Sequence, residues 1–192
     1  MSKVEKTMHS AKIVCVSLIS ILFITATAPA EDRHVREGFW GGIDAGAGYL
    51  QHSLDDESKD EASFFLGFKV GYTINPHFLI GLELSGWLLE ASNLWDPDEG
   101  KGINQVFLIT QLYPSNDSGL FAKVGGGYVN TWSNSPNENR RKSGWALNVG
   151  AGYDYYFLDE TIALTPFVGF NYGETGNWDY KAITLGLGIT FP

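Results

Sequence analysis

The chain has 192 residues, 44% of them hydrophobic, 18% charged, and a formal net charge of −9. That length allows one domain of moderate size. The acidic balance excludes nucleic acid as a partner, and a single cysteine, Cys15, excludes a disulfide framework.

Residues 1–30 read as a signal peptide. Lys3, Lys6 and Lys12 make a basic start, Ile13 to Ile24 is apolar apart from Cys15, Ser17 and Ser20, and Ala28-Pro29-Ala30 supplies the small residues that precede a cleavage site. The apolar run, about twelve residues against the roughly twenty a membrane helix needs, is too short to span. Lys12 and Val14 before Cys15 do not form a lipid-attachment pattern. Cleavage after Ala30 leaves residues 31–192 with ten Lys and Arg, twenty-one Asp and Glu, a net charge of −11 and no cysteine. No later stretch is apolar enough for a membrane helix, so any spanning structure must consist of strands.

Period-two alternation predicts eight strands, at about 39–50, 62–73, 78–90, 104–113, 119–131, 144–157, 162–172 and 180–191. The third shows it most clearly. Phe78, Ile80, Leu82, Leu84 and Leu88 take one face, and Gly81, Glu83 and Ser85 the other. The fourth is ambiguous, since Val106, Leu108 and Leu112 compete with Phe107, Ile109 and Tyr113. Short connections at 74–77, 114–118 and 158–161 alternate with longer polar ones at 51–61, 91–103, 132–143 and 173–179. Short turns on one rim and long loops on the other are the plan of an outer-membrane barrel, with the short turns in the periplasm.

The two faces differ in composition. The apolar phase, expected to face lipid, includes Ile43 and Tyr49, Leu66 and Phe68, Val124, Leu147, Val168 and Leu185. The other phase holds Asp44, Lys69, Glu83, Lys123, Asn148, Asp154 and Asn171, together with most strand glycines. An eight-stranded barrel has an interior only wide enough for side chains to fill, so crowding there accounts for the glycines. Aromatic residues gather near strand ends, among them Phe39, Trp40, Tyr49, Tyr72, Tyr113, Tyr128, Trp132, Trp145, Tyr172, Tyr180 and Phe191. That placement predicts two girdles at the headgroup levels.

The segments "FWGGIDAGAGY", "LFAKVGGGY" at 120–128, "WALNVGAGYDYYF" at 145–157 and "AITLGLGITF" at 182–191 resemble the small outer-membrane β-barrel domain family. That family includes opacity-type porins and the transmembrane domain of OmpA-like proteins. The resemblance covers 38–192 and implies an all-β fold, an eight-stranded antiparallel up-and-down transmembrane β-barrel in the bacterial outer membrane. Members end on an aromatic residue read by the insertion machinery, whereas here Pro192 follows Phe191.

Strand heights place Asp44, Lys69 and Glu83 near one level, and Lys123 near Asp154. The expectation is that Lys69 lies between Asp44 and Glu83, that Lys123 pairs with Asp154, and that these five residues form a structural ion network plugging the lumen. A charge in a narrow low-dielectric lumen needs such a partner.

No catalytic, cofactor-binding or metal residues are assigned. Nucleophilic catalysis needs a nucleophile, a base and an orienting group in reach. His34 precedes the barrel, His77 reads as a solvated turn residue, and His52-Ser53 with Asp55 lies in one acidic loop without the pattern of lipid A deacylases. Asp96, Asp98 and Glu99 do not complete a calcium loop. Arg140, Arg141 and Lys142 form the basic run, in an outer loop open to lipopolysaccharide phosphates or serving as a solvated charged loop. The expected partners are outer-membrane lipid and lipopolysaccharide, the barrel-insertion machinery, and a surface or host ligand met by the loops, with the protein a monomer. The leading reading is a non-catalytic barrel displaying four extracellular loops in a structural, adhesion or surface-interaction role. The alternative is a lipid A-modifying enzyme or small pore on the same scaffold. A soluble ligand-binding barrel is disfavoured, because it would need charges along the outer strand faces.

Overall fold

The structure is a computed structural model that describes residues 36–54, 57–91, 100–133, 142–157, 161–175 and 178–191. The predicted signal peptide and its cleavage site lie outside these residues, as do Asp55, Asp96, Asp98, Glu99, Arg140 and Arg141.

Eight antiparallel strands follow in order: β1 (Gly38–Leu54), β2 (Glu57–Asn75), β3 (Phe78–Ala91), β4 (Gly100–Leu112), β5 (Leu120–Ser133), β6 (Lys142–Tyr153, resuming after Asp154 as Tyr155–Phe157), β7 (Ile162–Thr175) and β8 (Trp178–Phe191). Each pairs with its sequence neighbours, and β1 pairs with β8 from Gly41↔Phe191 to Leu54↔Trp178. The sheet therefore closes on itself and leaves no unpaired edge.

Register fixes the tilt. One row of paired residues runs Ile43, Phe68, Leu84, Val106, Tyr128, Trp145, Glu174, Asp179 and returns to β1 at Ser53, ten residues beyond its start. A stagger of that size over eight strands tilts them by roughly 40° and makes every row climb toward the extracellular rim.

The faces sort by phase. Leu66, Leu82, Val124, Leu147, Phe170 and Ile189 are exposed on the outside. Lys69, Glu83, Lys123, Asn148, Asn171 and Thr184 are buried inside. In β4 both phases are apolar, and the structure resolves them: Val106, Leu108 and Leu112 point out, while Ile103, Phe107 and Ile109 are fully buried.

Two sequence expectations need correction. The first concerns loops. Segments 51–61 and 173–179 are largely strand, with β1 pairing β2 out to Leu54↔Glu57 and β7 pairing β8 out to Thr175↔Trp178. Above the lipid both faces meet water, so alternation fades although backbone pairing continues to satisfy the peptide groups. The second concerns aromatics. Tyr49, Tyr72, Tyr128 and Trp145 are about half exposed on the outer wall, but Trp40, Tyr113 and Tyr180 are buried in the lumen. The interior is therefore packed with rings as well as glycines and ions. Trp40 lies over Gly71 and Gly81, where a Cβ would come within 2.7 and 2.9 Å of its Cζ2. Gly is needed there to let a large ring approach the wall closely.

Candidate functional site

The lumen is the candidate site, and its midplane carries four charges. Lys69 Nζ donates to Asp44 Oδ1 at 3.0 Å, joining β2 to β1. Lys123 Nζ donates to Glu83 Oε2 at 2.5 Å, reaching from β5 past β4 to β3. All four are buried. Charges here are neutralised in pairs, as a low-dielectric interior requires.

Lys123 thus meets Glu83 and not Asp154. The reason is the climb of the rows. Across the β5–β6 ladder the partner of Lys123 is Gly150, so Asp154 lies four residues nearer the periplasm. Glu83 opposes Lys69 in register, but its Oε2 is taken by Lys123 and its Oε1 has no hydrogen-bond partner among the described residues.

Asp154 belongs to a second cluster at the periplasmic mouth. It interrupts β6, and its backbone N–H donates to Gly119 O at 2.9 Å. Tyr113 Oη donates to its Oδ2 at 2.6 Å and Thr165 Oγ1 to its Oδ1 at 2.6 Å, while Tyr156 Oη stands 3.4 Å away. Arg36, which precedes β1 and is 2% exposed, completes the cluster. Its guanidinium carbon stands 3.7 Å from the centre of the Tyr113 ring; Nε donates to Tyr156 Oη at 3.2 Å and Nη2 to Ser118 O at 2.9 Å. Cation–π contact and hydrogen bonding hold this arginine beside a carboxylate it does not touch directly. Sequence reasoning passed over Arg36. Its one available signal was a basic residue two positions before the first strand.

Toward the extracellular side the packing turns aromatic and amide-rich. Phe65 meets Trp87 edge-on at 5.3 Å and Phe167 at 6.0 Å across the lumen. Gln105 joins Ser85 to Tyr180, accepting from Ser85 Oγ at 3.1 Å and donating to Tyr180 Oη. Asn148 Nδ2 donates to Asn171 Oδ1 at 2.8 Å.

Among the described residues, His52 and His77 lie at opposite ends of the barrel. His52 Nδ1 lies 3.5 Å from Glu61 Oε1 near the extracellular end. His77 is held rather than merely solvated: its Nδ1 is 2.8 Å from Tyr113 O, and its carbonyl accepts from the Tyr113 N–H at 2.9 Å. Among the described residues no group of His, Cys, Asp and Glu is arranged to hold a metal.

A closed eight-stranded barrel with an apolar exterior and a packed polar interior is the signature of a small outer-membrane protein. Residues 16–191 match the family of outer membrane protein beta-barrel domains. The chain belongs to that family. It resides in the bacterial outer membrane. The Neisserial surface protein A structure aligns with a TM-score of 0.60 and 16% identity, over 80% of this chain and 96% of that one. The attachment invasion locus protein Ail of Yersinia pestis aligns with a TM-score of 0.55 and 16% identity, over 81% of this chain and all (100%) of that one. A second Ail structure, with the heparin analogue sucrose octasulfate, aligns at 0.56 and 17% identity, over 81% of this chain and 100% of that one. At such identities these likenesses concern the fold. No curated protein matches the chain in sequence.

Proposed function

We propose that this protein is a non-catalytic outer-membrane barrel with a sealed lumen, whose work is done by the four strand-extended extracellular loops in a structural, adhesion or surface-interaction role. The observation that carries this reading is the Lys123–Glu83 pair reaching past β4, with Asp44–Lys69 beside it. Paired ions and rings occupy the cross-section that a pore would need. Eight strands leave little room beyond such filling. The lumen groups are also poorly suited to chemistry on a lipid, since the carboxylates are engaged by lysines and hydroxyls.

The basic run Arg140, Arg141 and Lys142 supplies the loops with cations for a polyanion such as the phosphates of lipopolysaccharide. Ail, of the same fold, has been crystallised with a sulfated sugar. Sequential use of two assays tests the proposal. Planar-bilayer recordings of the purified barrel are expected to give no steady conductance above background. Mass profiles of lipid A from cells with and without the protein are expected to coincide. Stable channels or a shifted lipid A mass would replace this reading with the pore or enzyme alternative.

A further inference from the structure

The outer wall is not uniformly smooth. An oblique groove of about 1080 Å³ crosses it from β8 to β5. Its floor follows one register row, Leu187↔Ala45↔Leu66↔Gly86↔Asn104. Small residues Ala45 and Gly86 lower that row. The ridge above carries Phe64, Leu88 and Trp132, and the ridge below Phe68, Leu84 and Val106. Four strand spacings make the floor about 19 Å long. That is comparable to one leaflet of the roughly 30 Å hydrocarbon core.

The row does not stop at Asn104. It continues through Asn130 to Ser143, and all three lie in the outward phase. Asn104 is exposed on this lipid-facing wall, with its backbone paired to Gly86 and Asn130. Because rows climb toward the extracellular side, the apolar part of the groove lies deeper in the membrane. The Asn104–Ser143 part lies at the outer headgroup level, beside Tyr128 and Trp145. An apolar channel that runs into an uncharged hydrogen-bonding ramp has the profile of an amphiphile.

We propose that this groove is a binding site for one acyl chain of an outer-leaflet acylated glycolipid, the lipid A class. The chain lies over Ala45 and Gly86, and Asn104 bonds the amide or ester where the chain joins its sugar. Neutral amides and a hydroxyl suit that junction and the sugar hydroxyls. A phospholipid of the ethanolamine type has no sugar hydroxyls to meet Asn130 and Ser143. The groove is continuous with the wall already in contact with membrane hydrocarbon, and burying a chain in it removes apolar surface on both sides.

The test is native mass spectrometry of the folded, detergent-solubilised barrel with hexa-acylated lipid A as the probe, using Gly86→Leu, Asn104→Leu and, as a control elsewhere on the outer wall, Ala122→Leu. Space at Gly86 is ordinary, with Asn104 Oδ1 3.4 Å and Ile103 O 3.6 Å from a Cβ, so the leucine fits the folded barrel. Heat-dependent gel mobility checks that folding. The wild-type and Ala122→Leu proteins are expected to retain one lipid A per barrel. Gly86→Leu and Asn104→Leu are expected to lose at least about tenfold in occupancy. Equal retention by Gly86→Leu, equal loss by Ala122→Leu, equal competition by dipalmitoyl phosphatidylethanolamine, or a wild-type dimer that Gly86→Leu dissolves would each overturn the proposal.

Discussion

The midplane of the lumen and its periplasmic mouth each bury a carboxylate, and they satisfy it differently. Glu83 is bonded by a single lysine, with one oxygen on Lys123 and the other without a hydrogen-bond partner among the described residues. Asp154 meets no cation directly; hydroxyls of Tyr113, Thr165 and, at 3.4 Å, Tyr156 surround its carboxylate, and Arg36 stands behind the tyrosines. The contrast teaches that a buried charge can be held by one strong opposite charge or by several shared donors. The first arrangement fails when either partner is lost. The second is distributed, so single losses are smaller.

The sharpest break of this contrast is Glu83→Ala. It strands Lys123 in the lumen and is expected to lower unfolding stability by about 3–5 kcal/mol. Urea unfolding of the barrel in lipid vesicles measures it. The double variant Glu83→Met/Lys123→Met is expected to recover most of that loss, because no unpaired charge remains. A double variant as unstable as the single one would show that the pair is not the source.

Asp154→Ala comes next, with an expected loss of about 2–3 kcal/mol from charge-assisted hydrogen bonds. Asp154→Asn keeps an acceptor and is expected to lose less. If the asparagine variant matched Glu83→Ala, the distributed picture would be wrong. A third variant addresses the packing between the two regions: Gly81→Ala presses a methyl toward Trp40 and the neighbouring backbone, and about 1–3 kcal/mol is expected from overpacking. The smallest expected effect, about 1 kcal/mol, belongs to Arg36→Ala, read in the same unfolding titrations. Its further signature is faster exchange of the Asp154 amide proton, which bonds Gly119 O beside Ser118, the backbone partner of Arg36.

Much of the fold is legible in the sequence because lipid enforces a rule. Outward positions within the hydrocarbon are predominantly apolar, so Leu66, Leu82 and Leu187 announce the phase of their strands. Three features escape that rule. In β4 the inward Phe107 and Ile109 are as apolar as the outward Val106 and Leu108, because they pack in the lumen opposite glycines of β5. Trp40, Tyr113 and Tyr180 sit near strand ends, where a ring serves a girdle or a core equally well. Only their phase tells which, and it places them inside. The partner of Lys123 depends on a ten-residue stagger accumulated round the barrel, which no single strand encodes. Arg36 lies ahead of the first periodic segment and had no pattern to mark it. The strand extensions above the lipid were unreadable for the converse reason, since water on both faces removes the alternation.

The central claim is sidedness, with hydrocarbon outside and ions, amides and rings within. Spin labels placed singly at positions 79–88 test it most directly through collision rates with oxygen, which partitions into lipid. Oxygen accessibility is predicted to peak at 80, 82, 84 and 88 and to fall at 79, 81, 83, 85 and 87. Peaks at 83, 85 and 87 instead would turn the barrel inside out and contradict the account.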